Sequence, residues 1–172
     1  MRSTGPAGTG IDCRERLWRR AGYLGLVRRR KGIAMPTTVV EGGCICGAIR
    51  YRITGSPTNS MVCHCQSCRR VAGAPVVAWV TFPQTQFQLL HGQRSEFRSS
   101  EPVLRTFCAA CGTPLTYQHS DNVGFVDITT CSLDNPNLFP PTHHSWLSHD
   151  LAWVRFGDGL PTFQEWRHES AA

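Results

Sequence analysis

Apolar and polar residues alternate with a period of two along much of this chain, the spacing of half-buried β-strands and not of helices. The clearest stretch is 48–54, where Ile49, Tyr51 and Ile53 alternate with Arg50, Arg52 and Thr54 before a Gly55-Ser56-Pro57 break. A near-continuous apolar run over 76–82 ends at Pro83 and predicts a more deeply buried strand. Shorter strands are predicted at 87–90, 96–99, 103–107, 115–118 and 125–129, with a last one around 153–156. Breaks at Gly92, Pro102, Gly112 and Asp121-Asn122 are evenly spaced, which suggests sheets folded on one another and not βαβ units. Only 66–71 offers a helical turn, and no repeat of fixed period is evident. The expected fold class is mainly β, built of short antiparallel strands.

This texture starts near Met35-Pro36. Upstream, the chain is rich in Gly and Arg, and Leu17, Ala21, Leu24 and Val27 form at most a weak basic helical face. We expect a basic, disordered extension over 1–35 and one domain over 36–168, a comfortable length for a single core. An Arg-rich, acid-poor start also matches a mitochondrial transit peptide; the simpler expectation is a tail or over-extended start upstream of Met35. Apolar stretches here are too short for a signal peptide, and nothing further on is long enough to span a bilayer. With nine cysteines and no export signal, a reducing, cytoplasmic setting is expected.

The net charge of +6 does not change the picture as much as it first suggests. Residues 1–35 hold nine of the eighteen basic residues and two of the twelve acidic ones, a net +7, which leaves −1 for the rest. The body lacks a basic stripe and an aromatic platform for stacking bases, so nucleic acid is not the expected partner.

The candidate chemistry lies in the cysteines. Cys63-His64-Cys65-Gln66-Ser67-Cys68 places three thiols within six residues, and two pairs, Cys44-x-Cys46 and Cys108-x-x-Cys111, lie far from it. Such spacing suits convergence on a soft metal better than disulfide geometry, which needs particular Cα separations. Seven clustered thiols divide as four plus three: a closed structural zinc site and a site with one position open. Glycines flank both pairs (Gly42, Gly43, Gly47 and Gly112) and permit close backbone approach. Cys44, Cys46, Cys108 and Cys111 are therefore expected to hold a structural zinc. Cys63, Cys65 and Cys68 would hold a second zinc, whose open position takes water or a thiol that ionises there. Arg69 and Arg70 follow directly, either to offset the trithiolate charge or to bind a substrate carboxylate. Cys131 or His64 is a candidate fourth ligand that would make the second site structural too, although a buried, inert Cys131 is the commoner case. His144, Trp146 and Trp153 are candidates to wall a substrate cleft, with core packing the expected place for both tryptophans, and Cys13 is expected to have no site role.

The chain resembles the glutathione-dependent formaldehyde-activating enzyme family, which includes centromere protein V. The resemblance rests on Gly42-Gly43-Cys44-x-Cys46-Gly47, Cys63-His64-Cys65-x-x-Cys68-Arg69, Arg105-x-Phe107-Cys108-x-x-Cys111-Gly112, and Pro141-x-x-His144-x-Trp146 through Asp158-Gly159-Leu160-Pro161. It implies a β-tent zinc scaffold and the same division of ligands, with Cys63, Cys65 and Cys68 as the catalytic set. It implies a carbon–sulfur lyase that reversibly joins glutathione, or a similar thiol, to formaldehyde or a related small carbonyl. The alternative is a non-catalytic zinc module whose basic tail contacts nucleic acid or another acidic partner.

Overall fold

The computed structural model describes residues 38–167. The extension expected over 1–35, with its weak helical face and Cys13, lies outside the described residues. Two sheets form. In the smaller, β2 (Arg50–Thr54) pairs antiparallel with both β1 (Val39–Gly43) and β5 (Phe87–His91). The larger has seven strands in the order β10-β3-β4-β9-β8-β7-β6. Its members are β3 (Asn59–Cys63), β4 (Val77–Pro83), β6 (Ser95–Ser100), β7 (Val103–Phe107), β8 (Pro114–His119), β9 (Phe125–Thr129) and β10 (His144–Ser145). Its pairings are antiparallel except β10 with β3. One helix, α1 (Gln66–Ala72), follows β3 and stops at Gly73, whose φ of 61° supplies the left-handed cap.

The alternation read in the sequence decides which residues enter the core. Tyr51 and Ile53 of β2 point inward, while Arg50 and Arg52 point out and pair with Asp134 and Glu41. Val40, Tyr51 and Ile53 of the smaller sheet share one apolar cluster with Val80, Phe82, Leu115, Val126 and Ile128 of the larger. Burying a side chain of this size contributes roughly 1.5–3 kcal/mol, so this seam is the main source of stability.

β4 is buried on both faces because β3 and β9 flank it and both of its faces are covered. Val80 and Phe82 face the inter-sheet core. Val77 and Trp79, of opposite parity, join Met61, Cys63 and Cys68 in a second cluster. The larger sheet thus separates a stabilising face from a thiol-bearing one.

Two expectations fail here. No strand forms around 153–156: that segment turns, with the Val154 N–H donating to the Leu151 carbonyl, and Trp153 is 72% exposed where the core was expected. The late strand is instead the two-residue β10, held by Val62 N–H to the His143 carbonyl and His64 N–H to the Ser145 carbonyl, each at 2.9 Å. No helix among the described residues is long and apolar enough to cross a membrane.

Candidate metal centre and the adjoining thiol-lined cavity

Cys44 and Cys46 sit in the turn leaving β1, and Cys108 and Cys111 in the turn between β7 and β8. The turns are built alike. Cys44 N–H donates to the Ile49 carbonyl at 3.1 Å and Cys108 N–H to the Thr113 carbonyl at 3.0 Å. Each turn reverses at a left-handed glycine, Gly47 (φ 76°) or Gly112 (φ 75°), a conformation that costs other residues about 1 kcal/mol. A cross-link between the turns, Ile45 N–H to Thr113 Oγ1 at 3.2 Å, brings the pairs together across the two sheets.

The four sulfurs lie within 4.8 Å of one another, with Cys44 to Cys46 at 3.4 Å and Cys46 to Cys108 at 3.7 Å. Tetrahedral zinc with Zn–S bonds of about 2.3 Å sets sulfur separations of about 3.8 Å, so the donor set and its spacing fit such an ion. All four are free thiols. Burial disfavours the Cys44 thiolate, but the Ile49 N–H, donating at 3.2 Å, and the neighbouring thiols outweigh it and hold the group below its usual value. The hydroxyl and N–H of Thr113 bring Cys111 down to about 6. The Ala48 N–H favours ionisation of Cys46, but Cys44 and Cys111 prevail and push it up to about 12. Four thiolates this close repel each other, and a divalent cation removes that conflict.

Cys63 ends β3, Cys65 precedes α1 and Cys68 lies in its first turn. All three line a cavity of about 290 Å³ with Trp79, Ser99, Arg105, Tyr117, Asp127 and Trp146. The thiols act on one another: Cys63 and Cys68 stabilise the Cys65 thiolate and hold it far below the usual range, while Cys65 and Cys68 push Cys63 up. Cys65 is therefore the first of the three to ionise. The sulfurs suit a soft ion or a thiol-based reaction, although the mutual 4.8 Å convergence among described residues is that of the other four. Trp146, at the cavity wall, adopts φ 65°, a left-handed conformation unusual for a large side chain.

The structure distinguishes the remaining candidates. His64 is buried and both ring nitrogens are engaged, Nδ1 with Asp150 Oδ1 and Nε2 with His144 Nδ1, each at 2.9 Å. His144 Nε2 continues the chain to Asp158 Oδ2 at 2.9 Å. His64 thus anchors the cysteine loop to the segment after β10. Cys131 is exposed, not buried as expected: in the 3-10 turn Thr130–Ser132 it is Thr130 that points inward, and Cys131 borders a different depression, beside Cys44. Arg69 and Arg70 do not line that cavity and instead border a separate depression with Leu151 and Trp153.

The arginine in the cavity is Arg105, given no role from sequence. It is 4% exposed, its Nε donates to Ser99 Oγ at 3.0 Å, its Nη2 to Cys68 Sγ at 3.6 Å, and its guanidinium lies 4.8 Å from the Tyr117 ring centre. Beside it, burial raises Asp127 to about 6 against the opposing pull of the Thr81 hydroxyl and Arg105. The available signal was parity: Arg105 shares its strand face with buried Val103, so it had to point inward.

A mainly β scaffold that joins two cysteine turns into a four-thiol cluster, next to a cavity lined by three more thiols, defines a cysteine-rich domain with a candidate metal site. The sequence profile described as glutathione-dependent formaldehyde-activating enzyme matches residues 39–149, and the chain belongs to that family. A Schizosaccharomyces pombe protein described as an uncharacterized lyase is 30% identical over 83 residues, which cover 47% of this chain and 58% of that protein. A Halomonas elongata protein, provisionally named a glutathione-dependent formaldehyde-activating enzyme, is 26% identical over 125 residues, 67% of this chain and 80% of its own. The crystal structure of a Rhodobacter sphaeroides protein superposes with a TM-score of 0.47 at 18% identity, covering 72% of this chain and 98% of that one.

Proposed function

We propose that this protein is a carbon–sulfur lyase that reversibly joins glutathione, or a similar thiol, to formaldehyde or a related small carbonyl. In this reading residues 36–168 form the catalytic domain, 1–35 a basic extension, and the protein works in the cytoplasm. The observation that carries it is the gathering of Cys63, Cys65 and Cys68 around one cavity in a chain of this family.

Cys44, Cys46, Cys108 and Cys111 would hold a structural zinc that ties the first strand of the smaller sheet to a hairpin of the larger. Cys63, Cys65 and Cys68 would hold the catalytic zinc, with Cys65 the readiest anionic ligand. Such a zinc supplies one piece of chemistry, lowering the pKa of a thiol so that it is nucleophilic near neutrality. The protein does the rest. Arg105 offsets negative charge at Cys68, Trp79 and Trp146 wall the cavity against water, and the His64–His144 link fixes the cysteine loop. Arg69 and Arg70, which border the neighbouring depression, are assigned to a carboxylate of a tripeptide that extends out of the cavity.

The test combines zinc content with exchange kinetics for formaldehyde plus glutathione in the intact protein and in Cys68→Ser. Two zincs per chain and a rate above the spontaneous reaction are expected, with one zinc and the acceleration lost in the variant. A fully loaded protein no faster than the uncatalysed reaction sinks the assignment.

A further inference from the structure

Two buried N–H donors at the cavity have no acceptor. Arg105 Nη1 is unpartnered although the other two guanidinium nitrogens are bonded, and Trp79 Nε1, on a side chain 4% exposed, is unpartnered as well. An unsatisfied buried donor costs roughly 1–3 kcal/mol, more when charged, so two at one cavity call for a ligand. Both side chains also border a neighbouring depression with Phe97 and Gly112. The groups that Arg105 touches, Ser99, Cys68 and the Tyr117 ring, belong instead to the thiol-lined cavity.

We propose that Arg105 Nη1, assisted by Trp79 Nε1, is an oxyanion site that receives the carbonyl oxygen of the small aldehyde. This inference rests on the thiol–carbonyl reading above. The thiol loses its proton to solvent, and its sulfur lone pair forms the C–S bond. The C=O π pair moves onto oxygen, and that alkoxide then takes a proton from water, giving the hydroxymethyl thioether. Charge develops on oxygen only as the C–S bond forms. A fixed cation and N–H therefore stabilise the transition state more than the neutral carbonyl. One arm of Arg105 donates to Cys68 while another has no partner, so the guanidinium can accept an oxygen without giving up its bond to the thiol.

The probe is formate, a small planar oxyanion, titrated into the zinc-loaded full chain. Binding is followed by the indole N–H resonance of Trp79, assigned by its loss in W79F. A saturable shift is expected in the wild type, weakened at least tenfold in R105Q and partly retained in R105K, with formate inhibiting competitively against formaldehyde. In R105Q the maximal rate should fall about 100-fold, as when an oxyanion donor is removed, while the KM for glutathione holds. No saturable indole shift in the wild type, or an equal shift in R105Q, overturns the proposal; the wild-type titration decides even if R105Q fails to fold. The thiol reading is judged separately, by the spectral response of a cobalt-loaded protein to glutathione. If that response is absent while formate still requires Arg105, the lyase assignment fails and the oxyanion site stands.

Discussion

Replacing Asp127 with Asn is expected to stabilise the protein at neutral pH, and to do so in a pH-dependent way that identifies the cause. Asp127 sits on β9 among Thr81, Tyr117 and Arg105, and burial raises its carboxyl from 3.8 to about 6. A carboxyl whose folded pKa is raised favours folding in its neutral form. That contribution is complete below the unfolded value and disappears as the pH climbs through about 6. The rise from 3.8 to about 6 corresponds to about 3 kcal/mol of destabilisation at pH 7.5. Of this, about 2 kcal/mol should develop between pH 4.5 and 7.5. Asn keeps the shape and the oxygen that accepts from the Thr81 hydroxyl, and it does not ionise. Its extra N–H bonds add an offset that is the same at every pH, so the informative quantity is the change in the difference between variant and wild type. Urea unfolding of both proteins at pH 4.5 and 7.5 measures it, the difference cancelling any metal loss common to both. A difference that stays constant between the two pH values would refute the reasoning.

Cys108→Ser should lose the four-thiol ion and, because the binding energy of such an ion is folding energy, cost about 3 kcal/mol or more, read as a lower thermal midpoint by circular dichroism. Gly112→Ala should cost about 1 kcal/mol, from its φ of 75° alone, since nothing lies within 4 Å of an added Cβ. Gly92→Ala should cost more, because its Cβ would fall 2.1 Å from the Ala48 carbonyl oxygen at a φ of 83°; denaturant melts of the two variants give the order. DNA retention by the full chain and by a form lacking residues 1–34 should be equal and negligible in gel-shift assays at physiological salt; strong retention by the full chain alone would revive the binding-module reading.

Much of the sheet structure was legible because local pattern and tertiary environment agree. Ile49, Tyr51 and Ile53 alternate with arginines and end up buried, and the near-continuous apolar run before Pro83 becomes the strand covered on both faces. The paired cysteines and their glycines were legible because a metal knuckle is a local structure, set by spacing and one left-handed residue. What was not legible depended on partners distant in sequence. Ser60 reads as a polar interruption, yet it lies within β3 because its hydroxyl reaches the Phe139 carbonyl at 3.0 Å. Trp153 and Phe156 have the apolar texture of a strand but no neighbour to pair with, and Phe156 packs its ring against His64 and His144 instead. Arg105 could be placed on an inward strand face by parity, but its partners Ser99, Cys68 and Tyr117 come together only in the assembled cavity.

Several unfavourable local features meet at the thiol-lined cavity, on one face of the larger sheet. The inter-sheet side holds apolar residues in ordinary contact. The opposite side holds an unsatisfied guanidinium nitrogen, an unsatisfied indole, a carboxyl whose ionisation is opposed by burial, three thiols that perturb one another and a left-handed tryptophan. Each costs of order 1–3 kcal/mol, and none is needed to hold the sheets together. Features that oppose stability and converge on one cavity are expected where a chain has been shaped for a ligand and not for its own packing. β4 makes the arrangement possible: its even positions, Val80 and Phe82, lock the two sheets together, which leaves its odd positions to the thiol-bearing side, where Trp79 lines the cavity and the Thr81 hydroxyl donates to Asp127.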